Sequence, residues 1–130
     1  LYSSSMRGDD IPYYTVLDGK ETDLVEIPSK WELDDYVAQA YSVYPAEPAG
    51  LDRISCYRNV QDNDLREFRG YYDMGLCIAF LMHPQISGAP GRNLVLEEVL
   101  KEVTAHKDVW VATGSEVAEY WHKAHPRKED

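Results

Sequence analysis

The stretch from Gly75 to Arg92 limits the possible folds more than any other. It opens with an apolar run, Gly75-Leu76-Cys77-Ile78-Ala79-Phe80-Leu81-Met82. With no polar alternation, this run predicts a strand buried on both faces. It continues through His83-Pro84-Gln85-Ile86-Ser87-Gly88-Ala89-Pro90-Gly91-Arg92, a loop by its Gly and Pro content. An amphipathic segment from Asn93 to His106 then predicts a helix, with Leu96, Val99, Leu100 and Val103 on one side and Glu97, Glu98, Lys101 and Glu102 opposite. A strand covered on both faces needs helices above and below its sheet, which is the α/β class. A histidine at the C-terminal end of such a strand sits where parallel α/β folds place their chemistry. The bland alternative is a His83 that only satisfies a hydrogen bond at the strand end.

Around this centre the chain alternates. Residues 1–11 are polar, turn-rich and read as a loop containing the acidic pair Asp9-Asp10. Tyr13 to Leu17 and Asp23 to Ile27 are strand-like arms around Asp18-Gly19, a hairpin-turn signal, and Pro28 closes the second arm. Trp31-Glu32-Leu33-Asp34-Asp35-Tyr36 suits a short helix capped by Ser29, or an irregular active-site loop. Ser42 to Arg53, rich in Pro, Ala and Gly, reads as a surface excursion. Asp62-Asn63-Asp64 offers N-cap chemistry for a helix to about Asp73, with Leu65, Phe68 and Tyr72 on its buried face. Asp108 to Ala112 predicts a short strand. Thr113-Gly114-Ser115-Glu116 is a capping box opening a last helix, with Val117, Tyr120 and Trp121 as its packed side. Pro126 to Asp130 reads as a frayed, charged tail. The second half therefore alternates helix and strand, which implies a parallel sheet with right-handed crossovers, although too few strands are present to close one.

Composition narrows the partners. The 130 residues allow at most one modest domain, and 44% hydrophobic residues suffice for a core. Thirteen basic against 23 acidic residues give a formal charge of −10, which argues against nucleic acid and anionic membrane surfaces as partners. Cys56 and Cys77 fit neither a metal spacing nor a disulfide framework. Cys77, inside the apolar run, reads as a buried reduced thiol. No run of about 18 apolar residues is present, so no spanning helix is expected. No signal-peptide pattern is visible, which favours the cytoplasm slightly. The chain begins with Leu1, so it is expected to be a subunit, a processed product or a fragment.

Three stretches could converge on one cleft: Asp9-Asp10, Trp31 with Asp34 and Asp35, and His83. A histidine among carboxylates can act as acid or base, with a carboxylate favouring the protonated ring. A metal centre has less support. His106, His122 and His125 fall on or after exposed helical segments, and the i, i+3 pair His122/His125 reads as solvated. H-E-x-x-H, P-loop, G-x-G-x-x-G and G-x-S-x-G motifs are all absent. Ser87-Gly88 lacks the strand-turn-helix setting of a nucleophile elbow.

Taken together, Tyr2-Ser3-Ser4-Ser5, Gly8-Asp9-Asp10-Ile11-Pro12-Tyr13, Leu24-Val25-Glu26-Ile27-Pro28, Trp31-Glu32-Leu33-Asp34-Asp35 and the His83-to-Arg92 loop resemble the NodB-type polysaccharide deacetylase family. The similarity is greatest to the branch of peptidoglycan-deacetylase-like proteins, allantoinases and cyclic imide hydrolases. It runs from about Tyr2 to Trp121 in the family's order. The resemblance implies a distorted (β/α) barrel with His83 as the late catalytic histidine, the general acid toward the leaving group. It implies that Trp31 and either Asp34 or Asp35 line the site and orient that histidine, with the spacing from Trp31 slightly favouring Asp34. Asp9 and Asp10 would lie in a neighbouring loop, and Arg92 would contact substrate. Ala89 stands where arginine is common in the family, which would alter an anion contact.

The family's early motifs (an Asp-Asp pair, two metal-binding histidines and an arginine motif) are not among these residues. The resemblance therefore implies the C-terminal half of the barrel, with no metal ligands in this chain. The expected metal is divalent, zinc by the family, and the expected partner is a second chain supplying the N-terminal half. The implied activity is hydrolysis of a non-peptide carbon–nitrogen bond, in a small amide or imide or an N-acetylated sugar. The alternatives are a non-catalytic or regulatory partner built on half a barrel, and a fragment of one ordinary polypeptide.

Overall fold

A computed structural model describes residues 1–40 and 55–127. The Ser42-to-Arg53 excursion and the last three residues of the predicted tail lie outside the described residues.

Strand β2, Tyr13–Leu17, and strand β3, Lys20–Glu26, form the expected hairpin, with β3 beginning three residues earlier than the pattern suggested. Asp18 and Gly19 both take positive φ, 51° and 78°, the backbone that a two-residue turn matched to strand twist requires. The N-terminal segment departs from the expected loop. Tyr2–Ser3 forms strand β1, which adds parallel to β3 through Tyr2↔Val25 and Ser3↔Glu26, giving the order β1-β3-β2. Glu26 explains how the segment after β1 is held. Its side chain is almost fully buried, and its Oε1 accepts the Ser5 and Met6 N–H groups at 2.6 and 2.8 Å. A buried carboxylate bonded to two backbone donors is a satisfied charge.

A 3-10 turn, Trp31–Leu33, runs into helix α1, Asp35–Gln39. Asp34 rather than Ser29 caps it, its Oδ1 accepting the Tyr36 N–H at 2.9 Å. Helix α2, Tyr57–Met74, starts five residues before the Asp62-Asn63-Asp64 cap signal, so those residues lie inside it. Each has other work: Asp62 pairs with Arg66, Asn63 donates to the Glu32 carbonyl at 2.7 Å, and Asp64 is buried. The helix ends at Gly75, whose φ of 68° needs a residue without a Cβ. Pro90 opens helix α4, Pro90–Ala105, three residues before the predicted start, its fixed φ suiting the first turn. The buried stripe of α4 is Val95, Val99 and Val103; Leu100, expected inside, is half exposed. Phe68, Val99 and Val103 form the core between α2 and α4, with Leu65, Ile78, Phe80 and Val109 packed against them.

The predicted central strand is corrected. Residues 76–80 carry no ladder, and Leu81 alone makes one parallel bridge, to Asp34. Leu81 N–H donates to the Leu33 carbonyl at 3.0 Å, and its carbonyl accepts from Asp35 N–H at 3.1 Å. The whole apolar run is partly exposed rather than buried on both faces, and Cys77 shares that position. A double-faced strand needs partners along both edges, and among the described residues this segment is bonded along one edge only. Among the described residues the Asp108-to-Ala112 segment forms no ladder either, Asp108 lying in a turn. The parallel sheet expected of the second half is thus reduced, among the described residues, to one bridge.

Helix α5, Gly114–Ala124, has the expected capping box: Thr113 N–H meets Glu116 Oε2 at 2.7 Å, and Glu116 N–H meets Thr113 Oγ1 at 3.3 Å. Ala118 is its buried residue. Tyr120, expected to pack inside, is half exposed and set edge-on to Trp110. The end of α5 is tied to the hairpin. Tyr14 Oη donates to the His125 carbonyl at 2.9 Å and meets His122 Nδ1 at 3.2 Å, while Arg127 pairs with Asp23 at 2.6 Å.

Candidate active site

The parallel bridge between Asp34 and Leu81 brings the 3-10 turn and the His83 loop side by side. Two residues beyond Leu81, His83 emerges next to Asp35. Pro84 then starts helix α3, Pro84–Ser87, and turns the chain so that Ser87 faces the same carboxylate.

Asp35 is 5% exposed, and its two oxygens are used differently. Oδ1 lies 2.6 Å from His83 Nδ1. Oδ2 accepts His83 N–H at 2.9 Å, Ser87 N–H at 3.2 Å and the Ser87 hydroxyl. Burial pushes this carboxyl up. Hydrogen bonds from Ser87 and from the His83 backbone and ring, with the imidazole's charge, outweigh that and hold it below the usual carboxylate range. Asp35 is therefore a carboxylate, with no proton to give, so the short contact requires a proton on Nδ1. The other ring nitrogen, Nε2, remains for chemistry, and the His83 side chain is 32% exposed.

Asp34, the aspartate that the spacing slightly favoured, has its nearest oxygen 3.8 Å from Nδ1 and caps α1 instead. Adjacent residues of an extended chain point to opposite sides, so only one of the two can face the imidazole. Asp34, Asp35 and His83 do offer one ligand-type atom each within 4.8 Å. They do not fit a resident metal, because Nδ1 carries a proton for Asp35, Oδ2 is filled by three donors, and Asp34 Oδ1 is occupied by a backbone N–H.

Trp31 stands at the edge, 60% exposed, with the Arg7 guanidinium 3.6 Å above its ring. Trp31, Asp34, Asp35, Asp64, Ser87 and Arg92 line a cavity of about 260 Å³ on the α2–α4 side of the site. The structure does not bring the Asp9-Asp10 pair to His83. Asp10 is engaged by Lys30 Nζ at 2.7 Å and by the Tyr71 hydroxyl at 2.7 Å, which together hold its carboxyl low. Asp9 is exposed and accepts the Asp10 N–H at 2.8 Å.

Sequence reading missed three neighbours. Ser87 was weighed only as a nucleophile, but it is a buried donor to Asp35. Tyr36 sets its ring 5.5 Å from the imidazole. Asp64 is buried on α2 beside the cavity, and burial pushes its carboxyl up to about 6. Only its place within Asp62-Asn63-Asp64 pointed to Asp64, and that signal suggested a cap.

No family model matches the chain. Individual proteins do. A peptidoglycan deacetylase from Helicobacter pylori is 30% identical over 112 residues, 85% of this chain and 37% of the relative. A crystal structure titled "putative polysaccharide deacetylase" from Mycobacterium smegmatis superposes with a TM-score of 0.79 at 33% identity, covering 99% of this chain and 44% of that one. The chain belongs to the NodB-type polysaccharide deacetylase family. The crystal structure of PuuE allantoinase shares the fold at a TM-score of 0.78 and 20% identity, over 98% of this chain and 40% of that one. The chain thus spans about two fifths of the length of the relatives it matches, and its mixed α/β architecture is consistent with part of their barrel.

Proposed function

We propose that this chain carries the acid side of a site that hydrolyses a non-peptide carbon–nitrogen bond, in an amide, an imide or an N-acetyl group. The observation that carries the reading is the His83–Asp35 contact, which leaves Nε2 as the ring nitrogen without a partner among the described residues. In such a hydrolysis, water adds to the carbonyl carbon and the C–N electrons leave on nitrogen. The departing nitrogen then takes a proton from an acid, here His83 Nε2–H. Asp35 stabilises the charged ring beforehand and orients it. Relatives named for peptidoglycan deacetylase and allantoinase activity support this bond class. A small molecule is preferred over a polymer on the branch resemblance.

The water-activating base and the divalent metal, zinc by the family, are assigned to residues outside this chain, since the Asp34-Asp35-His83 group does not accommodate a cation. A second chain supplying the N-terminal half of the barrel would provide them. In the active assembly, His83→Ala is expected to remove roughly two to four orders of magnitude from kcat, with the melting temperature and assembly unchanged. A variant that melts earlier yet retains near-normal kcat would instead make His83 a structural strand-end residue.

A further inference from the structure

We infer that Ser87 is a positioning residue for His83, acting through Asp35 to fix the ring's tautomer; this rests on reading His83 as the acid. Ser87 is 5% exposed and ends α3, four residues beyond His83. Its hydroxyl and its N–H both donate to Asp35 Oδ2, joined there by His83 N–H at 2.9 Å. Three donors gather on one oxygen of a buried carboxylate, so a rotation of that carboxylate would leave all three unmatched. The rotamer that satisfies them presents Oδ1 to His83 Nδ1 at 2.6 Å.

Two of the three donors are backbone groups set by the turn itself. That turn is tightly specified: a Cβ on Gly88 would stand 2.2 Å from the Pro84 carbonyl oxygen. The Ser87 hydroxyl is the one side-chain donor on Oδ2, and Met82 Sδ packs on it at 3.4 Å. Among the described residues, Ser87 is the side chain whose removal loosens Asp35 while leaving both members of the His83–Asp35 pair in place. The tautomer of a histidine is set by the hydrogen bond made at its other nitrogen. A loosened Asp35 therefore releases the hold on Nδ1–H.

The test reads nitrogen-15 resonances of the His83 ring in the active assembly with this chain histidine-labelled, at alkaline pH where imidazole is neutral, with His83→Ala providing the assignment. In the wild type, the two ring-nitrogen resonances are expected far apart, with Nδ1 protonated. In Ser87→Ala they are expected to converge toward an exchanging mixture while the circular dichroism spectrum stays native. A wild-type tautomer in a folded Ser87→Ala overturns the proposal. If Ser87→Ala does not fold, Ser87→Cys, with its weaker donor, is measured. A partial convergence there supports the proposal and an unchanged pair of resonances overturns it. The readout needs no substrate, so a Ser87-dependent tautomer in a protein whose His83→Ala variant keeps full kcat would sink the acid reading and leave the positioning role standing.

Discussion

At Asp35 and Asp64, two buried carboxylates on successive helices show how neighbours decide the sign of a charge's effect. Asp35 has donors on both oxygens, and the fold holds it as an anion. Among the described residues Asp64 has only the Asn63 amide at 3.4 Å, and burial, with a smaller push from Asp35, raises it to about 6, well above the usual carboxylate range. The consequence for stability follows from linkage. Below about pH 4, Asp64 is protonated in both folded and unfolded states and costs nothing. Between pH 4 and 6 the native state binds more protons than the unfolded chain, so stability falls as pH rises, and above 6 the penalty is constant. At roughly 1.4 kcal/mol per pH unit, it amounts to about 2–3 kcal/mol. Asp64→Asn is expected to recover most of that at pH 8 and to be neutral at pH 4, as measured by denaturant unfolding across that range. An Asn variant that destabilises at pH 8 and is neutral at pH 4 would instead make Asp64 a needed anion.

Among the elements, the adjacent aspartates after the 3-10 turn separate cleanly. Asp34 has extended backbone and caps α1, whereas Asp35 is the first residue of that helix and faces inward. Removing the cap, Asp34→Ala, is expected to cost about 1 kcal/mol of stability and to leave catalysis in the assembly near normal. Asp35→Asn keeps the shape and removes the acceptor that holds His83 Nδ1–H, so it is expected to lower kcat. Measuring both variants for melting temperature and kcat distinguishes the roles. If Asp34→Ala lowers kcat and Asp35→Asn does not, the pairing is reversed. The other elements obey the same division between local and tertiary causes. Helix α5 begins where its capping box says, while α2 starts before its signal, where Val60 is buried, and α4 starts at Pro90.

Over the whole molecule, apolar surface and unpaired backbone coincide. Trp110 is 56% and Val111 72% exposed on a segment without ladder bonds among the described residues. Among the described residues the apolar 76–80 run has no ladder either. No described helix is long and apolar enough to cross a membrane, so these surfaces are not explained as a spanning segment. Strand edges of this kind take up another strand or aggregate. The proposed completion of the barrel would cover them, with an interface above roughly 2,000 Å². This chain on its own is therefore expected to self-associate at micromolar concentration and to become monodisperse when the remaining barrel is supplied. Sedimentation of a stable monomer with sharp cooperative unfolding would oppose it.

Sequence by itself determined what depends on a few adjacent residues. The Asp18-Gly19 turn, the Thr113–Glu116 capping box, the amphipathic helices and the importance of the Trp31-to-Asp35 and His83-to-Arg92 stretches were legible because each signal is complete within a short window. Ordered together, those stretches also identified the family. Tertiary structure alone decided the rest. It chose Asp35 over Asp34, turned Ser87 into a donor, fastened residues 5 and 6 to Glu26, buried Asp64, and kept Asp9 and Asp10 away from the imidazole. It also left the apolar run before His83 without a ladder, although every residue in it suits a strand. The physical reason is the same throughout: a carboxylate's partner and a strand's neighbour lie tens of residues away, and nothing in the local pattern says which backbone will arrive.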